Sequence, residues 1–464
     1  MRSTFHGLET ARRGLATQQT ALQTTGHNIA NANTVGYSRQ RVNFTQTEPY
    51  PAPSMNRPQI PGQLGTGVEA SSIQRVREGY LDLQYRGENS KLGDWESRNQ
   101  GLGRLEDLLN EPSEYGLSKT LDRFWQSLQD LANSPENNGA RSSVRQRGLE
   151  VSNTFNYLTD SIKKFHTDTE AEEKAAIDTI NYLASQINKL NEEIGNVEPH
   201  GYLPNDLYDQ RDVLIDQLSK LTEVQITVEK SQGNSLAMAE GKYTIELAGV
   251  NGSKHKLVDG VDKTFNNPID NTFQSNSGKL RGLSEAKVTY TDMLTDIQKI
   301  SSDFVTSFNA LHTQGKGLKD SSNTVPSGIE FFKIDANGRM DVTDSIKDSI
   351  DGLNNIAASN DGFPGDGTWA MSLSTSLSKP KSEYEKIIAS LGVRAQEANR
   401  MVYNTDVLLQ SVEKNRQSIS GVSLDEEMTN MIQFQHAYNA SARTITAVDE
   451  MLDRIINNMG IVGR

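Results

Sequence analysis

The sequence predicts a mainly α chain with a β-rich insertion, drawn out as an elongated multi-domain rod whose first and last helices pair. Three observations carry this. Small or apolar residues recur three and four apart at both ends of the chain. From Thr222 the character changes, and apolar residues alternate with polar ones at period two. The length of 464 residues exceeds what one ordinary core organises.

At the N-terminal end Phe5, Leu8, Ala11, Leu15, Leu22, Ile29 and Ala32 share a helical face, and Leu8, Leu15, Leu22 and Ile29 keep a strict seven-residue period. At the C-terminal end Leu424, Met428, Met431, Tyr438, Ala442, Ile445, Leu452, Ile456 and Met459 do the same. A lone helix with such a seam is marginal in water. Each end therefore needs a partner, and the other end is the nearest one. The plainer alternative is two ordinary amphipathic helices on a globular core. Charge favours pairing. Up to Tyr50 the basic residues are Arg2, Arg12, Arg13, Arg39 and Arg41, against Glu9 and Glu48. From Gly421 onward Asp425, Glu426, Glu427, Asp449, Glu450 and Asp453 oppose Arg443, Arg454 and Arg464. The ends thus have opposite net sign, which suits packing on each other or on a neighbouring subunit. Arg12, Arg13, Asp425 and Glu426 are candidates for ion pairs between subunits. Gln435 and Asp449 interrupt the C-terminal seam, either as register-setting positions or at its edge.

Between the ends the elements follow in order. The first helix should close near Asn31–Gly36, where turn-forming residues cluster. Residues 37–44 and 68–76 read as short strands. Pro49, Pro51, Pro53, Pro58 and Pro61 make the stretch between them an extended arm. Helical spacing resumes at Tyr80 and continues through Leu102–Leu109 and Leu117–Leu131, the latter ended by Asn133-Ser134-Pro135. A long helix over about 140–194 has Gly195 as its C-cap. A shorter one follows at Leu207–Leu221. From Thr222 to Gly278 alternation and glycine predict β-hairpins. Helix returns at 283–311. Residues 316–380 are turn-rich, with a strand at Phe331–Ile334 and a tight turn at Asn337-Gly338. A helix over 384–418 is broken by Gly421, and Ser423-Leu424-Asp425-Glu426 is a capping box for the last one. The chain goes out and comes back, so nested discontinuous domains are expected. These are 1–45 plus 421–464 as a terminal helical domain, 46–221 plus 282–315 plus 381–420 as a long-helix intermediate domain, and 222–281 plus 316–380 as a β-rich outer domain.

The chemistry expected of the chain is structural. It contains no cysteine, so neither disulfides nor thiol chemistry are available. The seven histidines lack metal-ligand spacing. Residues 335–341 faintly resemble a calcium loop, but Met340 stands at the glycine position and Ile346 at that of the bidentate acid, so a hairpin turn is the better reading. No nucleophile elbow, phosphate loop or zinc-protease pair occurs. No catalytic, cofactor or metal residues are assigned, and an enzyme is not expected. A net charge of -13 argues against a general nucleic-acid binder. No apolar run is long enough for a membrane span, and the N-terminus has no signal-peptide core.

Asn28-Ile29-Ala30-Asn31-Ala32-Asn33-Thr34-Val35-Gly36-Tyr37-Ser38-Arg39 resembles the N-terminal signature of bacterial flagellar rod, hook and hook-associated proteins, with Val35 where that signature usually has proline. Residues 428–432 and 437–443 are similar to the matching C-terminal signature. Four internal stretches resemble the family of the first hook-associated protein: 65–86, 205–212, 308–315 and, more weakly, 384–392. Asn31, Asn33, Gly36, Tyr37, Asn309 and His312 lie in these motifs. The bottom-up reading makes Asn309 and His312 local structural residues, and Asp206, Arg211 and Asp212 loop-tying ones. The resemblance implies a structural protein at the junction of hook and filament, with its paired ends in a self-assembled tubular layer. It also implies contacts with the hook protein and a second junction protein, a cytoplasmic chaperone on the C-terminal region, and flagellar type III export without a cleaved signal peptide. Alternatives are another axial protein, such as a hook or rod subunit or the second junction protein, or an adhesin or enzyme carried on the outer domain.

Overall fold

The computed structural model describes residues 5–55, 62–109, 116–261, 265, 267–319, 324–347 and 350–458; Pro58, Pro61 and Met459 lie outside them, as do Arg2 and Arg464. The helices are α1 (Phe5–Ala30), α2 (Gly79–Leu109), α3 (Leu117–Asn133), α4 (Asn138–Val197), α5 (Asn205–Leu221), α6 (Lys279–His312), α7 (Asp344–Lys347), α8 (Ile350–Asn354), α9 (Thr368–Thr375), α10 (Ser378–Ser420) and α11 (Leu424–Asn458). The strands are β1 (Gln40–Gln46), β2 (Val68–Arg75), β3 (Val224–Glu229), β4 (Lys242–Ala248), β5 (Lys254–Val258), β6 (Phe332–Ile334) and β7 (Met340–Val342). The chain is mainly helical with small antiparallel sheets, as its periodicities require.

It divides into two compact units. The first comprises Met1–Ser90, Thr179–Phe273 and Asp406–Arg464, and the second Lys91–Asp178 and Gln274–Thr405. This departs from the three-part division expected above. The two β-bearing segments assigned to one outer domain fall in different units. Phe331, Phe332, Met340 and Val342 of the later segment are core residues of the second unit, at most 1% exposed. Grouping by β character alone could not distinguish a core hairpin from an outer sheet.

In the first unit β1 and β2 form an antiparallel hairpin with one irregularity at Asn43/Phe44, and it lies against α1. The sheet β3-β4-β5 is tied to α4 through Asn191, whose amide donates to the Tyr243 carbonyl (2.8 Å) and accepts from its N–H (3.1 Å). Helix α4 runs straight through Gly195, where an added Cβ would stand 3.0 Å from Lys242 Cδ. The stop comes instead from a short 3-10 turn closed by left-handed Gly201 (φ 83°).

The second unit is organised on phenylalanine. Phe124 of α3, Phe155 of α4, Phe304 and Phe308 of α6, and Phe331 and Phe332 are fully buried, with ring centroids 4.6–6.5 Å apart in mostly tilted or edge contacts. The aromatic content of 6% is low, but much of it is concentrated here. The turn-rich stretch also folds into the short helices α7, α8 and α9, which the sequence does not announce. At Asn337-Gly338 the expected tight turn is present. Gly338 has φ 77°, and the Asp335 carboxylate accepts the N–H groups of Asn337 and Arg339, both at 2.8 Å. Truncating Phe304 to alanine is expected to destabilise this unit by about 3–5 kcal/mol. Urea unfolding followed by tryptophan emission measures it cleanly, because Trp95, Trp125 and Trp369 all belong to the second unit.

Candidate assembly interface

Helices α1 and α11 pair antiparallel within the first unit. Gly7 faces Val448, Gly14 faces Ser441, and Asn28 bonds to Glu427. The buried stripe of α1 is made of small or polar residues: Ala11, Thr17, Ala21, Thr24, Thr25 and Asn28. An added Cβ at Gly14 would stand 3.3 Å from Ser441 Oγ, so small residues set the approach of the two helices. Leu8, Leu15, Leu22 and Ile29 flank this stripe and are half-buried. On α11 Met431, Tyr438, Ile445 and Leu452 are half-buried as well, which places them on the side turned to α1.

Leu424, Met428 and Ile456 do not belong to that seam. They are 49%, 57% and 70% exposed, with Ile432, Met451 and Ile455 also exposed. Gln435 and Asp449 are exposed too, so neither sets the α1–α11 register. The reasons are length and phase. Leu424 and Ile456 stand at the two ends of α11, beyond the stretch that faces Gly7–Asn28, while Met428 and Ile432 lie on another face of the helix.

The polar end of the pair is fully partnered. Asn28 Nδ2 donates to the Gln40 carbonyl (2.8 Å) and to Glu427 Oε2 (3.1 Å), while Oδ1 accepts from Tyr37 OH (2.8 Å) and the Gln40 N–H (2.9 Å). Arg39 donates to Glu427 Oε1 at 2.8 Å and to Glu426 Oε2 at 2.6 Å. Burial, with the nearby charges of Asp206, Asp209 and Glu427, pushes the Tyr37 phenol well above its ordinary range. Thus Glu426 turns to Arg39 and makes no reciprocal cap with Ser423, while Arg12 and Arg13 are spent on Glu9 of their own helix. Of the four residues expected to pair between subunits, these three are engaged inside the chain.

The motif residues take separate tasks. Asn31 closes α1 by donating to the His27 carbonyl (3.1 Å) and accepting from Thr34 Oγ1 (3.2 Å). Asn33 is exposed. Gly36 has φ 80°, and an added Cβ would stand 2.1 Å from Val213 Cγ2, so both conformation and space exclude a side chain. Tyr37 reaches Asn28, as described.

Arg211 and Asp212 sit on helix α5, at the centre of a buried ion network. Asp212 accepts from Arg75 (3.0 Å), Arg86 (2.9 Å) and Arg77 (3.2 Å). Burial alone would push its carboxyl up, but the guanidinium groups of Arg77, Arg75 and Arg86 outweigh it and hold it well below the carboxylate range. Asp209 joins through Arg75 (2.6 Å), Asp216 through Arg86 (2.8 Å) and Arg416 (2.5 Å), and Glu240 through Arg211 (3.3 Å). The network ties α2, α5, α10 and β2 together. Asp206, at the start of α5, accepts from Gln40 Nε2 at 3.1 Å.

Asn309 and His312 lie in the second unit. Asn309 accepts the N–H groups of Phe331 (3.1 Å) and Phe332 (3.0 Å) and donates to the Phe332 carbonyl (2.7 Å). His312 Nδ1 donates to the Ile329 carbonyl (2.7 Å), and Nε2 accepts from the Ala357 N–H (3.0 Å). Both nitrogens are used only by the neutral ring. Burial pulls the imidazole down to about 4, with the Arg141 charge adding to it against the Ile329 bond. A proton therefore binds the unfolded chain near pH 6.5 and the folded one near 4. Stability of the second unit should fall as pH drops through that window, by about 3 kcal/mol in all. Urea midpoints between pH 7 and 4, compared with His312→Gln, measure it; the variant should lose most of that slope.

Among the described residues no group of histidines, cysteines or carboxylates could hold a metal ion. What the first unit does is hold two chain ends in one register while leaving a second apolar stripe uncovered, which is the design of an assembling structural subunit. Comparison with known proteins is specific. Residues 102–332 match the model of the flagellar hook-associated protein FlgK helical domain, residues 8–37 that of the flagella basal body rod protein, and residues 414–459 that of the flagellar basal body rod FlgEFG protein C-terminal. The chain is 40% identical to flagellar hook-associated protein 1 of Bacillus subtilis (strain 168) over 100% of both chains. It is 30% identical to that of Salmonella typhimurium over 70% of this chain and 58% of the relative, and 23% identical to that of Escherichia coli (strain K12) over 97% and 99%. The solved flagellar hook junction protein FlgK from Burkholderia pseudomallei aligns at 20% identity and a TM-score of 0.41 over 55% of this chain and 47% of that one, too little to bear on the fold. The chain belongs to the flagellar hook-associated protein 1 family.

Proposed function

We propose that this chain is a structural, non-catalytic subunit of the bacterial flagellum that forms the junction between hook and filament and allows the filament to assemble. The full-length relationship to hook-associated protein 1 carries this reading. The geometry supports it. The paired ends offer a further apolar stripe through Leu424, Met428 and Ile432, and burying such area contributes roughly 25 cal/mol per Å². In this reading the stripe is covered by neighbours in a tubular layer of identical subunits, flanked by the hook protein and by a second junction protein. The chain reaches that position by flagellar type III export without a cleaved signal peptide, after a cytoplasmic chaperone has held its C-terminal region. No helix is long and apolar enough to cross a membrane among the described residues.

A strain lacking the chain tests the proposal. Its appendages are imaged by electron microscopy and flagellin is assayed in the medium. The expected result is bare hooks and shed flagellin monomer. Complete filaments would overturn the junction role, and loss of hooks would point to a rod or hook subunit.

A further inference from the structure

Helix α1 is an internal repeat. Gly7-Leu8-Glu9-Thr10, Gly14-Leu15-Ala16-Thr17, Ala21-Leu22-Gln23-Thr24 and Asn28-Ile29-Ala30-Asn31 follow one another at seven residues. Opposite, α11 carries two columns at the same spacing. One is Met431, Tyr438, Ile445 and Leu452; the other is Glu427, Phe434, Ser441, Val448 and Ile455. The observed register sets Gly7 against Val448, Gly14 against Ser441 and Asn28 against Glu427.

Sliding α11 by seven residues would bring Ile455 to Gly7, Val448 to Gly14 and Ser441 to Ala21. Each small residue would again meet a side chain of the same column. Packing of α11 against α1 is therefore nearly indifferent to that slip, which displaces α11 by about 10 Å and takes Phe434 from its edge contact with Phe44 of β1. The polar end is not indifferent. The slip would bring Phe434 to Asn28, taking away the Glu427 acceptor and leaving Arg39 without its two carboxylates. A buried polar group at one position of a heptad seam is a known way to specify register at a cost in stability.

We propose that the α1–α11 pair is a two-register device, in which the Asn28–Glu427–Arg39 cluster is the catch that selects the observed register over one shifted by seven residues. In an assembling subunit the shifted state would reset the axial position of the terminal helix against its neighbours. That use rests on the assembly reading; the existence of the device does not.

The cysteine-free chain allows a direct test on the purified full-length protein. The pair Gly14→Cys and Ser441→Cys reports the observed register, and Ala21→Cys with Ser441→Cys reports the shifted one. Each pair is placed in the native chain, in Glu427→Gln and in Arg39→Gln. Mild oxidation and mass spectrometry read the disulfides. In the native chain only 14–441 is expected to close. In the catch variants 21–441 should rise at least tenfold at the expense of 14–441. If 21–441 stays unformed in both variants, side-chain packing alone sets the register and the proposal fails. Loss of both disulfides in the variants also overturns it, since the cluster would then hold the helices together without choosing between registers. Either failure leaves the junction role to be judged by the strain lacking the chain.

Discussion

Replacing Asp212 by alanine is expected to destabilise the first unit by about 3–5 kcal/mol. Asp212 is buried, and Arg75, Arg77 and Arg86 all donate to it. The side chains of Arg75 and Arg86 are 3% and 7% exposed, so water cannot replace the lost carboxylate. Their charges would then rest on Asp209, Asp82, Asp216 and Glu240, already shared with Arg211 and Arg416. Removing one member of a buried ion cluster leaves uncompensated charge, which costs more than the cluster itself contributes. Tryptophan emission does not report the first unit, so the measurement is hydrogen exchange of α5 amides. Protection should fall by about two orders of magnitude or more. A change below tenfold would show that the neighbouring carboxylates compensate. Glu9, exposed beside Arg12 and Arg13, is the control, and its replacement by alanine should leave exchange unchanged.

Deleting residues 424–464 is expected to abolish incorporation into the flagellum while leaving a soluble, folded chain. The deletion removes α11 and with it the Glu427 acceptor of Asn28 and both carboxylates of Arg39. Helix α1 then exposes its small-residue stripe and should fray, since an isolated amphipathic helix of this length is marginal. The ion network does not draw on α11, and the phenylalanine core belongs to the other unit. Cooperative thermal unfolding with tryptophan emission should therefore survive, while the amount of chain in purified flagella drops below detection. Normal incorporation of the truncated chain would remove α11 from the assembly interface.

Where the sequence was informative, it was so through repetition. Seven-residue spacing placed both terminal helices, and alternation found β1 and the β3-β4-β5 region. The motif at Asn31–Tyr37 marked a turn whose Gly36 admits no side chain. The details that pair the helices were hidden for a physical reason. An apolar seam attracts attention, yet α1 presents α11 with glycine, alanine and threonine, and its leucines lie to one side. The catch joins Asn28, Arg39 and Glu427 across nearly the whole chain, and nothing local in the sequence marks that contact. Asn28 lies inside the motif and nothing in the motif distinguishes it; its four hydrogen bonds do. Likewise Arg75, Arg77, Arg86 and Asp212 occur in stretches carrying the family resemblance, but charge spacing within each stretch does not show that they converge. Burial does. The split of the β-bearing segments between two units was also beyond pattern reading, because a three-residue hairpin in a core and one at a surface alternate alike.

The most direct measurement of the junction role is position. An epitope placed in the loop between β3 and β4, labelled with gold on intact cells and viewed by electron microscopy, locates the chain on the appendage. The account predicts a single narrow band where hook meets filament. Label spread along the hook, along the filament or at the filament tip would contradict it.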